Sequence, residues 1–244
     1  MQTQPIIPVL QRNNHDFHPV VQFDPAADKL IAMDFTEANT ELTDDITSDT
    51  ELFSKYINKK LGTRQARYGI GGYNELRNVY SRSKLFGGSS TQNVNRGTGI
   101  EEPRRLHLGT DIWGKELSPI FAFIGGMVHS FAFNDQYGDY GATIILCHQL
   151  EAISFYTLYG HLSLPDIKKL SAGQYITRGE VIGHIGNPHE NGHWPPHLHF
   201  QVIVDIELKQ GDYPGVCKNS EKEKYLFNCP DPELILQMKR YLGE

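Results

Sequence analysis

The clearest pattern of hydrophobic and polar positions lies in the second half of the chain. Residues 142–148 (ATIILCH) and 153–162 (ISFYTLYGHL) are runs rich in β-branched and aromatic residues, and residues 149–152 (QLEA) separate them. This arrangement predicts an antiparallel hairpin. Residues 171–186 predict two shorter strands, and residues 197–206 (HLHFQVIVDI) predict a long final strand. We therefore expect a mainly antiparallel sheet that folds over itself.

Helical periodicity is confined to the two flanks of this β-rich stretch. Residues 49–61 place apolar side chains on one helical stripe, residues 71–86 predict a second short helix, and residues 231–242 predict a last one. No helix is expected between residues 101 and 206. Residues 87–99 are rich in glycine, serine and asparagine, which predicts a polar loop.

These patterns predict a mainly β protein with helical extensions, of the α+β class. The chain has 244 residues, of which 39% are hydrophobic and 21% charged, so it can bury a substantial core. We divide it into an N-terminal extension (1–100) with short helices packed on the core, a β core (101–206), and a C-terminal loop and helix (207–244).

Charge and the N-terminal sequence narrow the range of partners. The net charge is −6, and Arg104-Arg105 is the most basic cluster, so we expect no nucleic-acid partner. The first residues lack a basic segment followed by an apolar run, which predicts neither a signal peptide nor membrane insertion. A cytoplasmic protein is expected, or a periplasmic or extracellular one if a leader was removed. The oligomeric state stays open.

The three cysteines do not have the CxxC spacing of a structural zinc site. Cys217 and Cys229 are close enough in sequence to pair, which would leave Cys147 alone. We interpret all three as reduced thiols.

Four residues have the spacing of a metal site. His197 and His199 are two positions apart on a predicted strand, so both project from one face. His107 and Asp111 flank Gly109, and a tight turn there is expected to direct both side chains to one point. Two histidines and one carboxylate suit Zn²⁺ and leave a fourth tetrahedral position for water, as in catalytic zinc sites.

Hydrolysis at such a site also needs a base and a donor to the developing oxyanion. His197 is next to the metal ligands and is the candidate base. His161 ends the neighbouring hairpin strand and is the candidate donor to the tetrahedral intermediate. His148 has either a supporting or a packing role. Three histidines of the following loop are expected at the surface: His184, His189 and His193.

Together these motifs resemble peptidase family M23, the lysostaphin-like zinc metallopeptidases. The resemblance runs from Leu106 to Ile203 and rests on four pieces, which are HLGTD (107–111), YTLYGHLS (156–163), the glycine-spaced run 173–183, and PHLHFQV (196–202). About 100 residues are covered, and the combination of motifs is highly specific.

The resemblance implies zinc held by His107, Asp111 and His199, with His197 and His161 acting in catalysis. It also implies an antiparallel β core of the duplicated hybrid motif, or barrel-sandwich hybrid, type. The sequence departs from the family in two places. The family usually has HLHFE, where this chain has Gln201, and a longer loop, NPHENGHWPP, precedes the HxH motif.

The leading hypothesis is a zinc metalloendopeptidase that acts on peptides or muropeptides, by resemblance those of peptidoglycan in the cell wall. One alternative is a zinc amidase or peptidase with a small cytosolic substrate, since it would use the same residues. The other is a non-catalytic binding module on the same scaffold, because phosphocarrier domains with a similar β architecture also use paired histidines.

Overall fold

The computed structural model describes residues 5–87 and 102–243. The predicted polar loop 87–99 therefore lies, apart from Gly87, outside the described residues. The α-helices are α1 (Ile6–Asn13), α2 (Asp44–Ser48), α3 (Thr50–Arg64), α4 (Leu164–Ile167), α5 (Lys222–Asn228) and α6 (Glu233–Leu236). The strands are β1 (Leu30–Met33), β2 (Tyr68–Gly71), β3 (Arg104–His107), β4 (Thr110–Trp113), β5 (Pro119–Phe121), β6 (Gly126–Asn134), β7 (Gly141–Leu150), β8 (Ile153–Leu162), β9 (Tyr175–Ile176), β10 (Val181–His184), β11 (His197–Ile203) and β12 (Val216–Lys218). Short 3₁₀-helices lie at Asn14–Asp16, Val79–Arg82, Lys84–Phe86, Asn219–Glu221 and Lys239–Tyr241.

Eight strands form one open sheet in the order β1-β2-β4-β11-β8-β7-β6-β9. Its neighbouring strands are antiparallel except for the parallel pair β1–β2. Two small antiparallel sheets, β5–β10 and β3–β12, complete the described strands. The expected mainly β architecture with helical extensions and an antiparallel core is confirmed.

The predicted hairpin is formed by β7 and β8. Leu150 pairs with Ile153 across the turn, where Glu151 takes a left-handed conformation with φ of 54°. Most apolar side chains of both strands are fully buried, among them Ile144 and Tyr159, whereas Leu150 and Ile153 beside the turn are half-buried. Strand β11 lies between β8 and β4, so the HxH motif occupies the middle of the sheet.

Helix α3 confirms the helix expected at residues 49–61. The Asp49 side chain accepts hydrogen bonds from the backbone N–H groups of Glu51 and Leu52, which satisfies two donors that the first turn leaves unpaired. Phe53 and Ile57 are buried and face a cluster that includes Trp113 of β4. The helix thus packs the N-terminal extension against the strand that carries Asp111.

Residues 71–86 do not form the predicted helix. Their backbone bonds laterally to β3 instead, since the N–H of Asn74 donates to the carbonyl of His107 and the N–H of Arg77 donates to that of Arg105. The end of this segment forms two 3₁₀-helices, Val79–Arg82 and Lys84–Phe86. The apolar spacing resembled a helical stripe, but pairing with the strand satisfies the same backbone groups.

Two further expectations about helices were wrong, and one helix was not predicted. Helix α4 lies within residues 101–206, where no helix was expected. Helix α1 was not indicated by the sequence pattern. The last helix ends at Leu236, because Gln237 adopts a left-handed conformation with φ of 50°.

All three cysteines are free thiols, as the sequence predicted. Among the described residues, no helix is both long and apolar enough to cross a membrane.

Candidate metal centre

His107, Asp111 and His199 come together on three neighbouring strands. Asp111 and His199 are direct partners in the antiparallel register of β4 and β11. His107 ends β3, and a two-residue link separates it from β4. One side-chain donor atom from each of the three residues lies within 4.8 Å of the others, and all three side chains are buried.

Hydrogen bonds at the far side of each ring decide which nitrogen faces the centre. Nδ1 of His107 lies 2.8 Å from the carbonyl oxygen of Gly72, an acceptor only, so this nitrogen carries the proton. Nε2 of His199 lies 3.0 Å from Oε1 of Gln201 and carries the proton there. Nε2 of His107 and Nδ1 of His199 are therefore left with lone pairs.

These two nitrogens and Oδ1 of Asp111 form a triangle of acceptors. The nitrogens are 3.0 Å apart, and Oδ1 lies 3.2 Å from His107 and 3.1 Å from His199. Three acceptors without a proton between them repel one another unless a cation lies among them. Tetrahedral ligands at about 2.0–2.1 Å from zinc are about 3.3 Å apart, so the donor set and spacing fit that metal.

The second carboxylate oxygen of Asp111 is occupied by an arginine of the N-terminal extension. Nη1 of Arg77 lies 2.5 Å from Oδ2 of Asp111, and the guanidinium is only 2% exposed. Burial alone would raise the pKa of Asp111, but His107 and Arg77 outweigh it and hold that pKa well below its usual value. Burial and Arg77 lower the pKa of His107 to about 4, which keeps this ring neutral at physiological pH.

Two more histidines direct Nε2 into the same space. Nδ1 of His161 donates to the carbonyl oxygen of Asn191 at 2.8 Å, and Nδ1 of His197 donates to that of Pro195 at 2.7 Å. The two rings are 4.1 Å apart between centroids, and Nε2 of His197 lies 3.9 Å from Oδ1 of Asp111. Both bonds leave Nε2 as an acceptor in the neutral ring.

Burial keeps both of these rings neutral. It lowers the pKa of His197 to about 4 and that of His161 well below its ordinary value. Trp113 stacks on the His197 ring at 3.9 Å and 15°, which fixes its plane. His161 has a positive φ of 62°, a conformation that is uncommon outside glycine and is often found at functional sites.

Four of the five residues, Asp111, His161, His197 and His199, border a cleft of about 250 Å³. Its walls come from all parts of the chain, because the N-terminal extension supplies Tyr80 and Phe86 and the C-terminal flank supplies Tyr213 and Val216. Trp194 of the 187–196 loop also borders the cleft.

The remaining histidines lie outside this centre. His148 is buried, with Nδ1 3.0 Å from the carbonyl oxygen of Gly125 and Nε2 2.7 Å from Oγ1 of Thr157. His189 is exposed as expected, while His184 and His193 are half-buried.

Sequence reasoning missed the supporting residues Gly72, Arg77 and Tyr140. Arg77 stood within a segment taken for a helix, so its position facing Asp111 had no signal in the pattern. Tyr140 places its hydroxyl 3.4 Å from Nε2 of His199. Gln201 was noticed as a departure, but its partners Pro214 and Cys229 could not be foreseen.

The chain is similar in sequence to known peptidases. Residues 105–211 match the model of peptidase family M23. The L-Ala--D-Glu endopeptidase of Bacillus subtilis (strain 168) is 26% identical over 165 residues. That match covers 66% of this chain and 44% of the relative, so the chain spans less than half of the relative's length.

Solved structures with similarity to the chain include two peptidases. The catalytic domain of lysostaphin from Staphylococcus simulans is 19% identical, with 70% of this chain and 97% of that one covered and a TM-score of 0.35. A zinc containing peptidase from Vibrio cholerae is 25% identical, with 50% and 35% covered and a TM-score of 0.34. The family match stands on the sequence, and it covers residues 105–211, as the motifs indicated.

Proposed function

We propose that the chain is a zinc-dependent metallopeptidase that hydrolyses a peptide bond in a short peptide. By similarity to its M23 relatives, the substrate class is a peptidoglycan peptide cleaved internally. The observation that carries this proposal is the triangle of acceptor atoms from His107, Asp111 and His199, in which the N–H groups of both rings point to the outer side. A cation at the centre of such a set stabilises it.

In this proposal the three donors hold the metal and two histidines move protons. A zinc ion bound there supplies a Lewis acid that polarises a carbonyl group and lowers the pKa of a bound water molecule toward about 7. His197 accepts a proton at Nε2, because Pro195 holds its other nitrogen as a donor. Trp113 keeps the ring in the plane that this transfer needs.

The sequence predicts that His161 donates a hydrogen bond to the tetrahedral intermediate, but the neutral ring in this structure cannot do so. Asn191 accepts the Nδ1 proton, so Nε2 of the neutral ring is an acceptor and has no proton to give to an oxyanion. We therefore assign His161 a donor role only after it has gained a proton at Nε2. Its ring is 4.1 Å from that of His197, close enough for the two to serve one substrate.

Metal analysis and substitution test the proposal. We expect about one zinc per chain, loss of zinc in His199→Ala and Asp111→Ala, and retained zinc with lost turnover in His197→Ala. His189→Ala removes an exposed histidine and is the matched control. Full metal content in the first two variants would show that the ligand assignment is wrong.

The substrate is tested by cleavage profiling of the zinc-loaded protein. Muropeptides, glycine-rich peptides and small amides form three arms. Cleavage of muropeptides is the expected result. Cleavage of small amides alone supports an amidase or peptidase with a small substrate. No cleavage in any arm, with zinc bound, would favour a binding module.

A further inference from the structure

A buried arginine of the N-terminal extension makes direct contact with the candidate metal centre. Arg77 is 2% exposed and lies outside the segment 105–211 that matches the family model. Its Nη1 is 2.5 Å from Oδ2 of Asp111, and its Nε is 2.5 Å from Oε2 of Glu75. The two carboxylates compensate the buried charge of the guanidinium, which would be strongly destabilising if it were unpaired.

Because of the contact with Arg77, the two carboxylate oxygens of Asp111 have different partners. Oδ2 is taken by Arg77, whereas Oδ1 lies 3.2 Å from Nε2 of His107 and 3.1 Å from Nδ1 of His199. The planar guanidinium fixes the direction of the oxygen that it binds. The carboxylate then presents a single oxygen to a metal ion and cannot rotate to offer both.

The positive charge of Arg77 is balanced by a neighbouring carboxylate, so it does not oppose a metal ion in the nearby site. Glu75 neutralises Arg77, so the pair adds no net charge, and Asp111 keeps its negative charge for the metal. The other donors of Arg77 are also engaged, since Nη2 bonds the carbonyl oxygen of Gly72 at 3.2 Å and Nη1 lies 3.4 Å from the Tyr80 hydroxyl. Four of the five N–H donors thus contact protein atoms.

We propose that Arg77 is a positioning residue of the metal centre, which holds Asp111 as a ligand through one oxygen. The inference rests on the proposed metal site. Arg77 also contacts Gly72, whose carbonyl oxygen accepts the Nδ1 proton of His107. The N-terminal extension therefore orients two of the three ligands, and a site built from the family segment alone would lack both supports.

The test uses the full chain and measures metal binding rather than turnover. Zn²⁺ affinity is determined by competition with a chelator, and the visible absorption of the Co²⁺-substituted protein reports ligand geometry. Loss of a residue that supports a metal ligand typically weakens metal binding about 10- to 100-fold. We expect that loss for Arg77→Gln, together with weaker Co²⁺ absorption as Asp111 becomes free to bind through both oxygens.

Two further variants make the result decisive. Arg77→Lys keeps the charge but loses the planar fork, so an intermediate loss of affinity is expected, and it decides the question if Arg77→Gln does not fold. Arg82→Gln is the control, because Arg82 belongs to the same extension but bonds Thr50, Tyr137 and the carbonyl oxygen of His193 instead of the metal ligands. Its Zn²⁺ affinity and Co²⁺ spectrum should equal those of the parent.

The outcomes separate this inference from the proposed function. A parent protein that binds no Zn²⁺ would overturn both. A parent that binds Zn²⁺ while Arg77→Lys and Arg77→Gln bind it equally well, with unchanged Co²⁺ spectra, would overturn only the role of Arg77.

Discussion

The substitution Gln201→Glu would restore the residue usual in the M23 family, yet we expect it to destabilise this protein. Gln201 is fully buried on β11. Its Oε1 accepts from Nε2 of His199, and its amide nitrogen donates to the carbonyl oxygen of Pro214 at 3.1 Å and to Sγ of Cys229 at 3.2 Å. An ionised glutamate keeps the first bond but cannot donate the other two.

The magnitude follows from what the surroundings lose. A buried carbonyl left without its donor costs about 1–3 kcal/mol, and it would face a carboxylate oxygen instead. Burial of the new charge adds a penalty of several kcal/mol, which a stronger bond to His199 offsets only in part. We expect a net loss of about 2–4 kcal/mol in the free energy of unfolding, from a total of about 5–15 kcal/mol.

Urea denaturation of the metal-free protein at pH 7 measures this change. Gln149→Glu is the matched control, since the same substitution at an exposed position of β7 should change stability by less than about 0.5 kcal/mol. Protonation of the new side chain restores a donor, so the loss should shrink as the pH falls toward 4. Equal stability of Gln201→Glu and the parent at pH 7 would refute the reasoning.

Two further predictions concern Gly109 and His148. A Cβ at position 109 would lie 2.5 Å from Nε2 of His199 and 2.8 Å from the carbonyl oxygen of Phe200, so Gly109→Ala should displace the ring and weaken Zn²⁺ binding at least tenfold, as chelator competition would reveal. Unchanged affinity would contradict the close approach. Burial lowers the pKa of His148 to about 4, so this residue contributes stability above pH 6.5 that is lost as the pH falls toward 4, about 3 kcal/mol in all. His148→Gln should reduce the difference in unfolding free energy between pH 7 and pH 4 by about that amount, and an unaltered difference would show that the ring is not held neutral.

The sequence allowed the β core to be predicted because its signals are local. The hairpin of β7 and β8 has two strand-length apolar runs and a polar turn, and the pairing of Leu150 with Ile153 matches it. The helix predicted at residues 71–86 was wrong because the contacts that decide its structure are distant in sequence. Their backbone partners Arg105 and His107 lie about 30 residues away, and no local pattern encodes such lateral pairing.

The candidate site shows the same division. His107, Asp111 and His199 could be proposed from spacing, since residues two apart on a strand share a face and a turn brings His107 and Asp111 together. The hydrogen-bond partners that fix the protons of the two histidine rings could not be predicted from spacing. The acceptor for His107 is Gly72, 35 positions earlier, and the support of Gln201 comes from Pro214 and Cys229, which follow it by 13 and 28 positions.

The pairing of β2 with β4 has a consequence for how the protein can be divided. Strand β4 carries Asp111 and is covered on one side by β11 and on the other by β2, through Gly69 to Gly71. A fragment that starts at residue 105 would leave the β2 side of this strand as a row of unpaired backbone groups beside Asp111, and such edges promote aggregation. We therefore expect the limits of homology and the limits of an independently folding unit to differ in this chain, and expression trials of the family segment alone should yield insoluble protein.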